Sequence, residues 1–408
     1  MARPLLKVAM VGHVDHGKST LIGRLLLETH SLPDGKAKEI ENISKGLGKE
    51  AELAYLTDQF REERENNMTI DTTQVFFKTR KAHYAVIDSP GHVEFIKNML
   101  TGAAQADAAI LVVDAQEGLK EQSRRHAFLV DLLGVKKLIV VFNKMDLVNY
   151  KETSFVEKKS VLLRFLKGLN GRPLNIIPVS AKENVNISKR STRTRWYRGP
   201  SLLEALDALA PAAESSNAPL RFPVQDVYEI DGQKILVGQI LSGKIAAGQK
   251  VTLLPSMRSA VIRSMKIFGR SPGKAFAGES IGLILREPVS VSRGEVLVEK
   301  KCAPVPTTHF TGNVFWISAL PLRVDAAVTL RCATQELRGR IIGIRNRMDS
   351  SALEILEKRA RRLHANETGA VSFVTEKPLV VERSCPLNGL GRFVIEQDFQ
   401  MQGAGIIS

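Results

Sequence analysis

Cysteine is scarce. The 408 residues hold three, Cys302, Cys332 and Cys385, far apart and with neither a CxxC pair nor a zinc spacing. A disulfide framework and a zinc finger are thereby excluded, and reduced thiols in strands are expected. Long apolar runs are missing too. The densest, Ala108–Val113 and Leu138–Phe142, fall far short of the ~20 residues a membrane helix needs. The stretch from Met1 to Met10 is interrupted by Lys7 and is too short for a secretory leader. No membrane partner is expected, and a cytoplasmic setting is. Acidic residues are short by fifteen, 43 against 58 Lys and Arg, for a net charge of +15. Such an excess suits an anionic partner. Apolar content of 44% and charged content of 25% exclude disorder, collagen and coiled coil as the main state.

What is present divides in two. Up to about residue 210, apolar runs at Leu5–Val11, Tyr84–Ile87, Ala109–Val113, Leu138–Phe142 and Ile176–Val179 alternate with helical stretches such as Ser19–Thr29 and Val93–Met99. Buried strands separated by helices predict a doubly wound α/β sheet. The segment Leu209–Pro219 has two prolines, small residues and no core periodicity, and reads as a linker. Beyond it, the turn pair Asp231-Gly232 and closely spaced glycines predict a small β-barrel. Pro304 and Pro306 mark a second break. The expected division is 1–210 for a nucleotide domain, 219–303 for one β-barrel and 308–408 for another. Within the last, Ser351–His364 is predicted helical, with Leu353, Leu356 and Leu363 as its apolar positions.

Four short motifs carry the chemistry. Gly12-His-Val-Asp-His-Gly17-Lys18-Ser19 follows a predicted strand and opens a predicted helix, the context a phosphate-binding loop requires. Its residues Gly12, Val14, Asp15, His16, Gly17, Lys18, Ser19 and Thr20 are candidates for the phosphate cradle. There glycine lets backbone N–H groups wrap a phosphate, Lys18 neutralises charge and the Ser19 hydroxyl meets Mg²⁺. Asp88-Ser-Pro-Gly91-His92 follows the next strand. An Asp88 carboxylate there reaches Mg²⁺ through water, and the Gly91 N–H a γ-phosphate. Asn143-Lys144-Met-Asp146 follows a third strand. A carboxylate at Asp146 accepts from the paired N–H groups of guanine, which adenine lacks, so the site selects GTP and GDP. Ser180-Ala181-Lys182 follows a fourth strand and supplies backbone contacts to the base. Thr69 lies between the first two motifs, where a switch segment senses Mg²⁺ and γ-phosphate. The metal set is therefore Ser19, Thr69 and Asp88.

Together, GHVDHGKST (12–20), the ERENNMTI segment (63–70), DSPGH, NKMD and SAK resemble the translation-factor class of GTPases over the whole chain. The resemblance implies that His92 orients the attacking water, with Val14 and Met68 as an apolar gate beside it. The family's switch glycine is Asn67 here, a residue that tolerates left-handed backbone. Two branches compete. The phosphate loop and FIKNMLTGAAQADAAILVV resemble elongation factor Tu and its archaeal and eukaryotic counterpart, which carry aminoacyl-tRNA to the ribosome. The segments WISALPL (316–322), ATQ (333–335), NETGAV (366–371) and GAGII (403–407), with STLIGRLLLET (19–29), resemble the GTPase subunit of sulfate adenylyltransferase. Weight on the barrel segments favours the second branch. It implies a heteromer in which GTP hydrolysis drives a catalytic adenylyltransferase subunit. His13 and His16 in the loop depart from that branch.

Other features have plainer readings. His13 and His16 lack a third group for a metal. The basic stretch Lys189, Arg190, Arg193, Arg195 and Arg198 is read as a solvated insertion or as an anion-contacting loop. Arg338, Arg340, Arg345 and Arg347 are read either as arginines presented along neighbouring strand faces or, equally, as edge-strand protection. Lys358, Arg359, Arg361 and Arg362 are placed on the solvent face of the predicted helix.

Overall fold

The computed structural model describes residues 5–32, 74–88, 106–135, 137–209, 218–230, 232–267, 272–383 and 389–408. The chain divides into two compact units, the first built mainly from residues 1–211 and the second from residues 212–408 apart from a short turn at 350–353. The expected helix at Val93–Met99, together with Asn67, Met68, Thr69, Gly91, His92 and Cys385, lies outside the described residues.

The first unit is a six-stranded sheet ordered β2-β3-β1-β4-β5-β6. Its strands are β1 (Leu5–Gly12), β2 (Gln74–Lys78), β3 (His83–Asp88), β4 (Ala108–Asp114), β5 (Leu138–Asn143) and β6 (Pro173–Pro178). Only β2 runs antiparallel, at the edge beside β3; the others are parallel. Every residue of β4 and β5 is buried, as central strands covered on both faces must be. That is why their sequences are continuous apolar runs rather than alternating ones. The helices are α1 (Lys18–Glu28), α2 (Glu121–Leu132), α3 (Glu152–Leu166) and α4 (Leu202–Asp207). Helix α1 buries Leu21, Ile22, Leu25 and Leu26, the i, i+1, i+4, i+5 stripe of one helical face. Burial of each contributes about 1.5–3 kcal/mol. Helix α4 starts at a capping box, in which Ser201 accepts from the Glu204 N–H and Glu204 accepts from the Ser201 N–H.

The second unit holds two β-barrels. In the first, β7 (Arg221–Pro223), β8 (Asp226–Ile230), β9 (Gln233–Gln239), β11 (Lys250–Leu254), β12 (Arg258–Lys266), β14 (Ser280–Leu285) and β15 (Val296–Val298) form one ladder ordered β7-β15-β11-β12-β14-β9-β8. The pair β10 (Lys244–Ala246) and β13 (Lys274–Phe276) stands apart. Strands β8 and β9 meet with Ile230 opposite Gln233, the two-residue hairpin that Asp231-Gly232 predicts. The second barrel uses β16 (Thr307–Trp316), β18 (Ala327–Cys332), β19 (Gln335–Asp349), β22 (Glu367–Leu379), β23 (Arg392–Gln397) and β24 (Gln400–Ile407). Their order is β18-β23-β24-β16-β22-β19, and β18 also pairs with β19, so the ladder closes. Strand β20 (Ile355–Ala360) hangs from β19, and β17 (Leu322–Arg323) pairs with β21 (Arg362–Leu363).

The predicted helix at Ser351–His364 is not there. Those residues form a turn, then β20 and β21. Leu, Glu, Lys, Arg and Ala are good helix formers, but propensity is a weak prior beside a ladder. Here β19 pairs with β20 through Ile344 opposite Ala360 and Met348 opposite Ile355. Leu353 has φ +59°, and only Ala360 and Leu363 of the segment from 355 onward are buried. Cys332 ends β18 and is buried, which pushes its thiol up to about 12. Cys302 sits in a short 3₁₀ turn and is exposed, not in a strand as expected.

The two barrels share a seam. Leu254, Val296 and Val298 of the first cluster with Val380 and Leu390 of the second. Arg221, 2% exposed, forks onto Glu382, its Nε donating to Oε2 at 2.9 Å and its Nη2 to Oε1 at 2.7 Å. The same guanidinium donates to the carbonyls of Leu220 and Cys302. The pair joins a buried guanidinium to a half-buried carboxylate, and further hydrogen bonds to the two carbonyls help such a pair to be tolerated. Among the described residues no helix is long and apolar enough to cross a membrane.

Candidate guanine-nucleotide site

The motifs gather at one edge of the first unit because parallel strands end there together. Met10 of β1 lies opposite Asp88 of β3, Gly12 opposite Val112 of β4, and Asp114 of β4 opposite Asn143 of β5. This is the carboxyl edge of an open α/β sheet, where ligands bind.

The loop between β1 and α1 is tight. A Cβ on Gly12 would sit 2.3 Å from the Val112 carbonyl oxygen, and one on Gly17, at φ +82°, would sit 2.4 Å from Asn143 Nδ2. Only glycine fits either place. Gly17 leads into α1, whose first turn brings backbone N–H groups and Lys18, Ser19 and Thr20 to the loop. Lys18 Nζ donates to the carbonyls of Gly12 at 3.0 Å and His13 at 2.9 Å, folding the ammonium over the cup. Val14 and Asp15 are exposed at the tip, with Asp15 in left-handed backbone. A cup of main-chain N–H groups, a lysine and a helix N-terminus is the chemistry of phosphate binding.

His16 contributes differently from the sequence-based expectation. Its ring is 1% exposed and turned onto β4, with Nδ1 3.2 Å from the Val112 carbonyl oxygen and 3.3 Å from the Asp114 N–H. Burial drives its pKa below the ordinary value. The main chain of His16, not its ring, belongs to the loop, and its carbonyl accepts from Asn143 Nδ2 at 3.0 Å.

Asn143 is a keystone. It donates to the phosphate loop through that bond, and its Oδ1 accepts from the Ala181 N–H at 3.0 Å. Asp146 is half-buried, and its Oδ1 accepts from the Ser180 hydroxyl at 2.6 Å. That bond orients the carboxylate and leaves its other oxygen for a donor pair. Lys144, in left-handed backbone, pairs with buried Asp114 at 3.1 Å.

The structure adds residues that no motif announces. The Gly12 N–H donates to His126 Nδ1 at 3.1 Å, and His13 Nδ1 meets Gln122 Oε1 at 2.6 Å. Gln122 and His126 lie four apart on one face of α2, a spacing that could have flagged them. Arg24 of α1 donates to the carbonyls of Ala181 and Lys182, both at 2.8 Å, and Asn184 donates to Glu28 at 2.7 Å. The helix that carries the phosphate loop thus also clamps the base-side loop. In the basic stretch, Arg193 stacks on Tyr150 and donates to its hydroxyl, while the Trp196 indole donates to the Tyr150 carbonyl and packs on Phe155. These aromatics are thus held by contacts within the first unit. Among the described residues no His, Cys, Asp and Glu group could hold a metal on its own.

The phosphate loop and the guanine-type carboxylate fall within one known sequence family, and the last barrel within another. Residues 3–212 match the elongation factor Tu GTP binding domain, and residues 309–408 match the GTP-eEF1A C-terminal domain-like family. The chain belongs to the translation-factor class of GTPases. It is 37% identical to elongation factor 1-alpha of Aeropyrum pernix, over 100% of this chain and 97% of that protein. It is 36% identical to elongation factor 1-alpha of Archaeoglobus fulgidus, over 98% and 97% respectively. A crystal structure of sup35 complexed with GDP covers 100% of this chain and 94% of that one, at 24% identity and a TM-score of 0.47.

These relatives overturn the preference for the sulfate adenylyltransferase branch. Key residues of the barrel segments that favoured it pack the core. Trp316 is fully buried, its indole donates to the Leu320 carbonyl at 2.7 Å, and its carbonyl accepts from the Asn366 N–H. A Cβ on Gly403 would meet the Trp316 ring, and one on Gly405 the Phe393 ring. Such residues answer to the closure of a barrel, and partner choice is not written in them.

Proposed function

We propose that this GTPase is a carrier that delivers aminoacyl-tRNA to the ribosome in the cytoplasm, using the three-part division at 1–210, 219–303 and 308–408. The observation that carries the reading is similarity to elongation factor 1-alpha along essentially the full length of both chains. In this reading Gly12, Val14, Asp15, His16, Gly17, Lys18, Ser19 and Thr20 surround the phosphates, with His16 acting through its main chain. Asp146 reads the guanine edge, held by Ser180, while Asn143, Lys144, Ala181 and Lys182 shape the base slot. Gly91 meets the γ-phosphate and His92 orients the attacking water. The glycine-walled cup and the hydroxyl of Ser19 beside it suit a phosphate-bound Mg²⁺ held also by Thr69 and Asp88. When bound, it would neutralise phosphate charge. The chain's own contribution to selectivity is the carboxylate of Asp146, since only a guanine edge offers it two donors.

The test is protection of the aminoacyl ester. With GTP the full chain should slow spontaneous hydrolysis of aminoacyl-tRNA, and with GDP it should protect far less. Equal lability with either nucleotide would end the carrier reading. His92→Ala should cut GTP hydrolysis by roughly a hundredfold while leaving GTP affinity near its starting value, as loss of a positioning group does.

A further inference from the structure

Helix α1 bears two charged side chains beyond its phosphate end that no motif assigns. Arg24 and Glu28 lie four apart, on one face of the helix. Both turn onto the loop 180–185. Arg24 Nε donates to the Ala181 carbonyl and its Nη2 to the Lys182 carbonyl, each at 2.8 Å. Glu28 Oε1 accepts from Asn184 Nδ2 at 2.7 Å. An ordinary surface i, i+4 pair does not explain this arrangement. Arg24 Nη1 and Glu28 Oε1 stand 4.0 Å apart, and the shorter bonds of both residues go to the loop. Arg24 is 16% exposed and Glu28 22%, so these charge-assisted bonds are largely sheltered from water, where they outrank neutral ones.

What they hold is the loop behind the guanine-type carboxylate. The loop closes on itself, since Ser180 and Val185 bond each other through both main-chain N–H groups, at 3.3 and 3.0 Å. The Glu183 N–H donates to the Ser180 hydroxyl at 3.2 Å, and that hydroxyl donates to Asp146 Oδ1 at 2.6 Å. Asn184 stands at φ +55°, a backbone that Asn tolerates, and its amide reaches Glu28 from there. A chain of hydrogen bonds thus runs from the flank of α1, through the loop, to the Asp146 carboxylate. The other end of α1 begins at Lys18, six residues before Arg24, or about 9 Å along a helix axis. One short element therefore serves the phosphate cup at its tip and the base-side loop on its flank.

We propose that Arg24 and Glu28 are positioning residues for base selection. They fix the loop 180–185 against α1, so that Ser180 presents the Asp146 carboxylate to the paired donors of a guanine edge. Purine discrimination then depends on how the phosphate-binding helix is seated. The proposal deepens the reading given above and rests on its assignment of Asp146 to the base.

The test uses the full chain and two probes, GDP and inosine diphosphate, each displacing a fluorescent guanine nucleotide. Inosine lacks the 2-amino group and offers Asp146 one donor in place of two. With Arg24→Ala, GDP affinity should fall about tenfold and inosine diphosphate affinity by no more than about threefold, as loss of aim at the second donor predicts. Arg24→Lys should restore part of the discrimination, because an ammonium still donates to a carbonyl. Should Arg24→Ala fold poorly, Glu28→Ala should narrow the same ratio by a smaller factor. A purely structural role would weaken both nucleotides alike, and that result overturns the proposal. So does parent-like binding of both. Asp146→Asn, measured alongside, separates the two levels. Unchanged preference for GDP over inosine diphosphate in Asp146→Asn strikes the base assignment itself. A lost preference there, with none lost in Arg24→Ala, strikes only the clamp. Ester protection of aminoacyl-tRNA plays no part in these readouts and tests the carrier reading by itself.

Discussion

The phosphate loop and the base-side loop lie at the same edge of the first unit's sheet, yet they are made of opposite materials. The phosphate loop is backbone: Gly12 and Gly17 stand where any side chain would strike Val112 or Asn143, and the donors are main-chain N–H groups. The base-side loop is set by side chains: the Ser180 hydroxyl holds Asp146, and Arg24 and Glu28 hold the loop that carries Ser180. A backbone site is specific in geometry and brittle. A side-chain site yields by degrees, because one hydrogen bond can be lost while its neighbours hold.

The largest effect that would test this contrast is in a matched pair of changes, one for each loop. Gly17→Ala adds left-handed strain of about 1–2 kcal/mol and displaces Asn143 from hydrogen bonds each worth about 1 kcal/mol or more, so guanine-nucleotide affinity should fall about a thousandfold. Arg24→Ala should lower it only about tenfold. Fluorescent GDP displacement measures both, and equal sensitivity at the two positions would break the comparison.

Next comes the seam between the barrels. Arg221→Ala strands Glu382, and removing one partner of a buried pair costs about 3–5 kcal/mol. The lower end applies because Glu382 is 22% exposed. Urea unfolding should show it, and adding Glu382→Gln should recover part of the loss. A smaller effect belongs to the base slot. Asp146→Asn should shift preference from guanosine toward xanthosine triphosphate by roughly ten- to a hundredfold, because the new amide donates where the carboxylate accepted. Unchanged selectivity would remove Asp146 from base reading.

The smallest effect is in pH. His16 is held neutral by burial, its pKa below 6.5. In that case the unfolded chain binds the proton first, so stability is lost as pH falls below about 6.5 and is fully present above it. The thermal midpoint of the parent should therefore drop on acidification through that range more than that of His16→Asn. Parallel curves would show that the imidazole carries no such linkage.

How much could be read in advance follows from the same contrast. Strands β4 and β5 were legible because both their faces are covered, and continuous apolar runs leave no other reading. The phosphate loop, Asn143, Asp146 and Ser180 were legible because their geometry demands particular residue types at fixed offsets. His126, Gln122 and Arg24 were not, since each acts on a partner over 100 residues away through placement of its helix, and the four-residue spacing of Gln122 and His126 marks a shared face without naming that partner. Strand β20 was misread as helix because its composition favours one, whereas its conformation is set by β19 across the ladder. The branch of the family was misread for a related reason: Trp316, Gly403 and Gly405 record how a barrel closes.

The fork of Arg221 onto Glu382 also bears on separation of the two barrels. With that clasp and the apolar contacts around Val380 and Leu390 in place, prising the barrels apart would break the ion pair and expose the apolar seam to water. The two barrels are therefore held to one another by charge and by apolar contact together.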